Sequence, residues 1–94
     1  MLYHVHCFDK PDHTAMRAAN REAHLAHLAK FTDAILVAGP TLAADGQTPS
    51  GSVIIIDLPD QAAVDAFCAN DPYAKAGLFQ RVEVTLWRKT LPKD

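Results

Sequence analysis

Asn70-Asp71-Pro72-Tyr73-Ala74-Lys75-Ala76-Gly77-Leu78-Phe79 separates the last helical pattern of the chain from its last alternating run. The stretch is therefore a connection. Connections usually collect small polar residues, whereas this one carries Tyr73, Leu78 and Phe79, apolar surface that a loop retains when it is packed down. Pro72 fixes its own φ and biases Asp71 away from the α region, so the preceding helix is expected to stop there. A carboxylate at a helix exit faces the unfavourable end of the helix dipole. Asp71 is thus either an Asx-type turn residue or a functional carboxylate.

Outward from this connection the elements fall into order. Leu2 to Phe8 alternates and ends at Asp9-Lys10-Pro11-Asp12, a strand with Leu2, His4, His6 and Phe8 on one face and Tyr3, Val5 and Cys7 on the other. Thr14 through Thr32 contains no Gly or Pro and is rich in Ala and Leu, a helix that Asp12 or Thr14 can cap. Its stripe Arg17, Arg21, His24, Leu28, Phe31 is polar for the first turns and apolar for the last, as if it left the core and entered a cleft. Ile35 to Ala38 reads as a second strand stopped by Gly39-Pro40, and Thr41 to Gly51 as a long loop. Ser52 to Leu58 is apolar on both sides around Val53-Ile54-Ile55-Ile56, the mark of a strand covered on both faces. Asp60 caps a short helix over Gln61 to Ala69, and Arg81 to Trp87 alternates as the last strand. The polar tail after Arg88 is expected to fray.

The order β-α-β-β-α-β predicts an α+β, ferredoxin-like single domain over residues 1–94, with a four-stranded antiparallel sheet and two helices on one face. The other sheet face keeps Trp87 and part of Val53 to Ile56. A second copy of the chain is the least costly cover, so a homodimer is expected.

Composition excludes several classes. The 94 residues are 49% apolar and 21% charged, ordinary for a folded domain. A net charge of −2 and a pI near 6.2 provide no basic field for nucleic acid or anionic lipid. No apolar run approaches the ~20 residues of a membrane span, and Met1-Leu2-Tyr3-His4-Val5 lacks the features of a signal peptide. Cys7 and Cys68 form no C-x-x-C and read as small buried hydrophobes. These features predict a cytoplasmic protein whose partners are a second copy and a small molecule, with no nucleic acid and no membrane.

Arg21 and His24 share a helix face. His24 is the natural general acid or base near neutral pH, and otherwise a surface or half-buried histidine. Asp71 is the natural carboxylate to orient it, since a bond to one ring nitrogen fixes the tautomer of the other. His4-x-His6 and His24-x-x-His27 could each begin a metal site, but neither has a third ligand at recognisable spacing, so no metal is assigned. No Gly-rich phosphate loop, G-x-S-x-G or H-E-x-x-H is present, and no cofactor is assigned.

With these residues laid out, the chain resembles the YCII-related (YciI-like) family, small members of the dimeric α-β barrel superfamily. The resemblance rests on Met1-Leu2-Tyr3, Arg21-Glu22-Ala23-His24-Leu25-Ala26-His27-Leu28, Ala38-Gly39-Pro40, Gly51-Ser52, Asp71 to Phe79 and Val84-Thr85-Leu86-Trp87. It implies a dimer with facing sheets and an active site on a His–Asp pair, which maps onto His24 and Asp71. A similar protein is a dehydrochlorinase acting on a chlorinated hydroxyhydroquinone, and related barrels isomerise muconolactone. His4 and His6 depart from the pattern, standing where apolar or aromatic residues are expected. Two classes of function follow. One is a cofactor-independent lyase, isomerase or dehydrochlorinase moving a proton on a ring or lactone, with Arg21 facing an anionic group and Gly39, Pro40, Ser52 and Tyr73 on the pocket wall. The other is a non-catalytic ligand-binding or regulatory module.

Overall fold

A computed structural model describes residues 1–93; Asp94, the last residue of the expected domain, lies outside the described residues. The elements are β1 (Leu2–Asp9), α1 (Thr14–Ala29), β2 (Ile35–Leu42), β3 (Pro49–Asp57), α2 (Gln61–Ala69), α3 (Pro72–Lys75) and β4 (Phe79–Leu86). The strands form one antiparallel sheet in the order β2-β3-β1-β4. The helices lie on one side, as the ferredoxin-like pattern requires.

Alternation in β1 decides which face is the core. Tyr3, Val5 and Cys7 are buried, and across the pairing Ile54 and Ile56 of β3 join them under Val64 and Phe67 of α2. Paired residues in an antiparallel ladder point to the same side. His4 and His6 therefore share the opposite face with Ile55 and Val53 of β3 and with Thr85 and Glu83 of β4. On that face His6 stacks on Phe8 at 3.9 Å, and the Arg81 guanidinium lies 3.8 Å from the Phe8 ring centre.

Several boundaries differ from the sequence expectation, among them the start of β4, which is Phe79 rather than Arg81. Helix α1 ends at Ala29 rather than Thr32 because the Thr32 hydroxyl donates to the Ala29 carbonyl (2.8 Å), competing for a terminal acceptor. Its N-cap is His13, not Asp12 or Thr14; Asp12 takes a positive φ of 60° in the approach. Strand β2 runs through Gly39-Pro40 to Leu42, and β3 starts at Pro49, so the eleven-residue loop contracts to Ala43–Thr48. β2 is an edge strand and Pro49 opens β3, the two settings in which a sheet tolerates proline. Finally, Asp71 is the N-cap of α3 and not merely the exit of α2: its carboxylate accepts from the Tyr73 N–H (2.9 Å). The negative charge thus sits at the favourable end of a short helix. Helix α3 ends in a Schellman motif, with Gly77 N–H bonded to Ala74 and Leu78 N–H to Tyr73, at a Gly77 φ of 82°.

A buried guanidinium ties two strands, β1 and β3, to α1. Arg17 Nη1 donates to both oxygens of Asp9 (3.1 and 3.0 Å) at the end of β1, while Nη2 donates to the Gly51 carbonyl (2.9 Å) and the Ser52 hydroxyl (2.8 Å) on β3. The same guanidinium lies 4.7 Å from the Tyr73 ring centre, beside the connection that leads into β4. Gly51 has to be glycine, because a Cβ there would run into the Cys7 carbonyl. Burial raises the Asp9 carboxyl above its ordinary range more than Arg17 draws it down.

Two outcomes follow. Arg17→Met leaves Asp9 buried without its cation, and breaking such a pair costs about 3 kcal/mol or more. The loss, read by urea unfolding, is expected at neutral pH. It shrinks on acidification, because a carboxyl raised in the folded state is destabilising only once it ionises. In the Ala43–Thr48 turn, Asp45 accepts from the backbone of Gln47 and Thr48 and from the Thr48 hydroxyl, which hold its carboxyl at about 2, below 3.8. A depressed carboxylate stabilises the folded turn fully above its unfolded value, near 3.8, and loses that contribution as pH falls through about 2. The amide resonances of Gln47 and Thr48 should hold their neutral-pH positions through pH 4 and move with a midpoint near 2.

Candidate active site

The stripe on α1 leaves the core as its composition suggested. Leu28 and Phe31 pack against the core cluster, while Arg17, Arg21, His24 and Leu28 line a cleft of about 250 Å³. The opposite wall is Ala38, Gly39 and Pro40 of β2 with Pro49, Ser52 and Ile54 of β3, and Tyr73 of α3 closes one side. The volume lies below that of drug-sized sites and suits a single small ring.

At this wall His24 is 6% exposed, and its Nδ1–H donates at 2.9 Å to Oδ1 of Asp71, which is 3% exposed and does not itself line the cleft. An ionised carboxylate only accepts, so it places the ring proton on Nδ1 and leaves Nε2 with its lone pair. Nε2 has no partner among the described residues. The ring is held from its face as well, stacked on Tyr73 at 3.9 Å and 13°.

The other candidates divide. Arg21 is exposed and forms no ion pair among the described residues, so it offers an uncompensated cation at the cleft. Gly39 and Pro40 supply backbone wall, and a Cβ at Gly39 would meet open space. Ser52 lines the cleft, but its hydroxyl is engaged by Arg17. Arg17 joins them at the cleft, although in the sequence it reads only as the first polar member of the stripe. Asp9, eight residues earlier at a strand end, was the available signal for a buried pair.

Histidines outside the cleft do other work. His27 Nε2–H donates to the Phe67 carbonyl (3.0 Å) and its ring stacks on Phe67, a tie between α1 and α2. His4 and His6 lie on the opposite sheet face, their rings edge to face at 6.0 Å. Among the described residues no group of three or more His, Cys, Asp or Glu side chains stands together as a cation cage. Burial pushes the Cys7 thiol up to about 12 and the Cys68 thiol up to about 11, so neither is a thiolate nucleophile at neutral pH.

The profile of the YCII-related domain matches residues 1–88. Protein YciI of Escherichia coli O6:H1 is 35% identical over 96 aligned positions, covering 95% of this chain and 98% of that protein. An uncharacterised protein of Haemophilus influenzae is 34% identical over the same shares. Among solved structures, the 5-chloro-2-hydroxyhydroquinone dehydrochlorinase of Burkholderia phenoliruptrix, in complex with 2,5-dihydroxybenzoquinone, superposes with a TM-score of 0.92 at 36% identity and full coverage of both chains. SnoaB, a cofactor-independent oxygenase from Streptomyces nogalater, shares the fold alone, with a TM-score of 0.63 at 17% identity over 98% of this chain and 97% of that one. The fold is that of the dimeric α-β barrels, and the chain belongs to the YCII-related family.

Proposed function

We propose that this protein is a small cofactor-independent enzyme that moves a proton on a hydroxylated ring or lactone. The observation that carries the reading is the buried His24–Asp71 pair at 2.9 Å, with His24 on the wall of a ring-sized cleft. His24 Nε2 takes the proton, Asp71 holds the imidazole and stabilises the imidazolium, and Arg21 attracts an anionic group. Gly39, Pro40, Ser52 and Tyr73 shape the pocket. The likeness to a dehydrochlorinase supports a ring hydroxyl as the proton source. The proton is carried from that hydroxyl to a ring carbon. Where the carbon bears chlorine, chloride leaves with the bonding pair as a second hydroxyl gives up its proton. The net loss is HCl, and no electron passes to or from a cofactor. Without a leaving group the same transfer is an isomerisation.

The protein acts, on this reading, as a single-domain cytoplasmic subunit, where its two free thiols stay reduced. It pairs through the sheet face away from the helices, which carries Val37 at 57% and Trp87 at 39% exposure. Sedimentation at micromolar concentration should give twice the 10.2 kDa chain mass, and Val37→Asp should shift it toward monomer. A wild-type monomer would remove the dimer.

For the chemistry, 5-chloro-2-hydroxyhydroquinone is the test substrate. Asp71→Asn and His24→Ala are each expected to slow conversion on the order of 10²-fold or more, with 2,5-dihydroxybenzoquinone still bound. Conversion unchanged in His24→Ala, with binding abolished, would favour a ligand-binding module over an enzyme.

A further inference from the structure

Tyr73 is placed as a wall residue, but its geometry asks for more. It is 2% exposed, and its ring is clamped by His24 at 3.9 Å, by the Arg17 guanidinium at 4.7 Å and by the edge of Phe79 at 6.0 Å. Its backbone N–H is fixed by Asp71. Its hydroxyl, by contrast, has no hydrogen-bond partner among the described residues. No side-chain nitrogen or oxygen of the described residues is both sealed from solvent and unpartnered, so the little surface left to Tyr73 includes that hydroxyl. Tyr73 is one of the residues that line the cleft. A rigidly held phenol in so buried a place normally finds a partner.

We infer that the Tyr73 hydroxyl is the hydrogen-bond donor to an ionised oxygen of the bound ligand, and that the ligand class is a small ring bearing an enolic or phenolic oxyanion. This rests on the proposed site and deepens it. A donor already fixed in place, aimed where charge develops, stabilises an oxyanion without reorganising. Arg21 adds attraction, but an exposed arginine is screened and does not fix an orientation. The phenol remains a donor rather than a phenolate, since burial pushes Tyr73 above its ordinary value of 10, against the pull of Arg17 and Arg21. With His24 Nε2 as acceptor and Tyr73 Oη as donor, the cleft takes a proton from one ring position while holding negative charge on a ring oxygen.

The test uses 2,5-dihydroxybenzoquinone, whose hydroxyls ionise with a change in absorbance. Tyr73→Phe keeps the ring and both stacks and is expected to melt within a few degrees of wild type. It should bind the ionised ring roughly ten-fold or more weakly, as expected for losing a bond to a charged acceptor. The bound ring should ionise at lower pH than the free ring in the wild type, and the Tyr73→Phe complex should move back toward the free value. If that variant does not fold, wild-type protein labelled with [¹³Cζ]tyrosine carries the test. Of its two tyrosine signals, the one from Tyr73 should move on binding, and the one from Tyr3 should not. Equal affinity and an equal ionisation midpoint in Tyr73→Phe, or a Tyr73 signal that ignores the ligand, would overturn the donor role while wild-type binding kept the site. Wild-type protein that binds no ring at millimolar concentration would overturn the ligand class as well. His24→Gln separates the two readings: it should lose conversion, whereas adding Tyr73→Phe to it should still weaken binding of the ionised ring, because the Tyr73 hydroxyl meets the ring oxygen whether or not His24 takes the proton.

Discussion

One carboxylate oxygen, Asp71 Oδ1, joins the fold of this protein to its candidate chemistry. It accepts two hydrogen bonds at 2.9 Å, from the Tyr73 backbone that begins α3 and from the His24 ring on α1. Pro72, between them, has no N–H to offer, so the cap falls on the next residue. The same atom therefore sets where α3 starts and which nitrogen of His24 carries the proton. A turn residue and a functional carboxylate are not alternatives at this position. Because Tyr73 also stacks on His24, displacing the carboxylate would loosen the imidazole both at its edge and on its face.

Behind this pair stands Arg17. Its nitrogens are spent on Asp9, Gly51 and Ser52, and its central carbon lies over the Tyr73 ring. One helical turn later Arg21 has no such partners. The two arginines share a stripe, yet one is structural and the other is available to a ligand. The difference comes from the sheet rather than from the helix: the end of β1 supplies Asp9 at the level of Arg17, and nothing comparable reaches Arg21. A rigid inner guanidinium and a free outer one give the cleft a fixed floor and an adaptable mouth.

How much of this the amino-acid order reveals depends on the range of the physics involved. Alternation in β1 and the apolar run in β3 are legible because burial against α1 and α2 demands them residue by residue. Asp60 is legible as a cap because the cap bond, to Ala63, is local. Edge position is not local, so Gly39-Pro40 reads as a stop although β2 continues through it. Helix α3, with four residues, is too short to show a period, and its cap and Schellman closure are visible only once the chain is folded. His24 and Asp71 are 47 positions apart. Their residue types, a bend at Pro72 and the family resemblance suggest the pairing, whereas spacing alone leaves each with an ordinary structural use. Arg17 shows the converse: its role depends on a buried partner from another element, and nothing in the helix pattern separates it from Arg21.

The balance of charge in the cleft constrains any chemistry assigned to it. Asp9 and Arg17 offset one another within a bonded pair; Asp71 is bonded to His24, and Arg21 lines the cleft without an ion-pair partner among the described residues, its charge equal and opposite to that of Asp71. With a neutral His24 the site therefore carries no net charge. An anion entering already ionised leaves that imidazole neutral and meets the attraction of the solvent-screened Arg21. A neutral hydroxylated ring that gives its proton to His24 once inside adds no net charge: the oxyanion at the ligand and the imidazolium at His24 form together. The imidazolium is already bonded to Asp71, and on the proposed reading the oxyanion meets the Tyr73 hydroxyl. On that reading, proton transfer inside the cleft separates charge only across the distance between groups that are already in place.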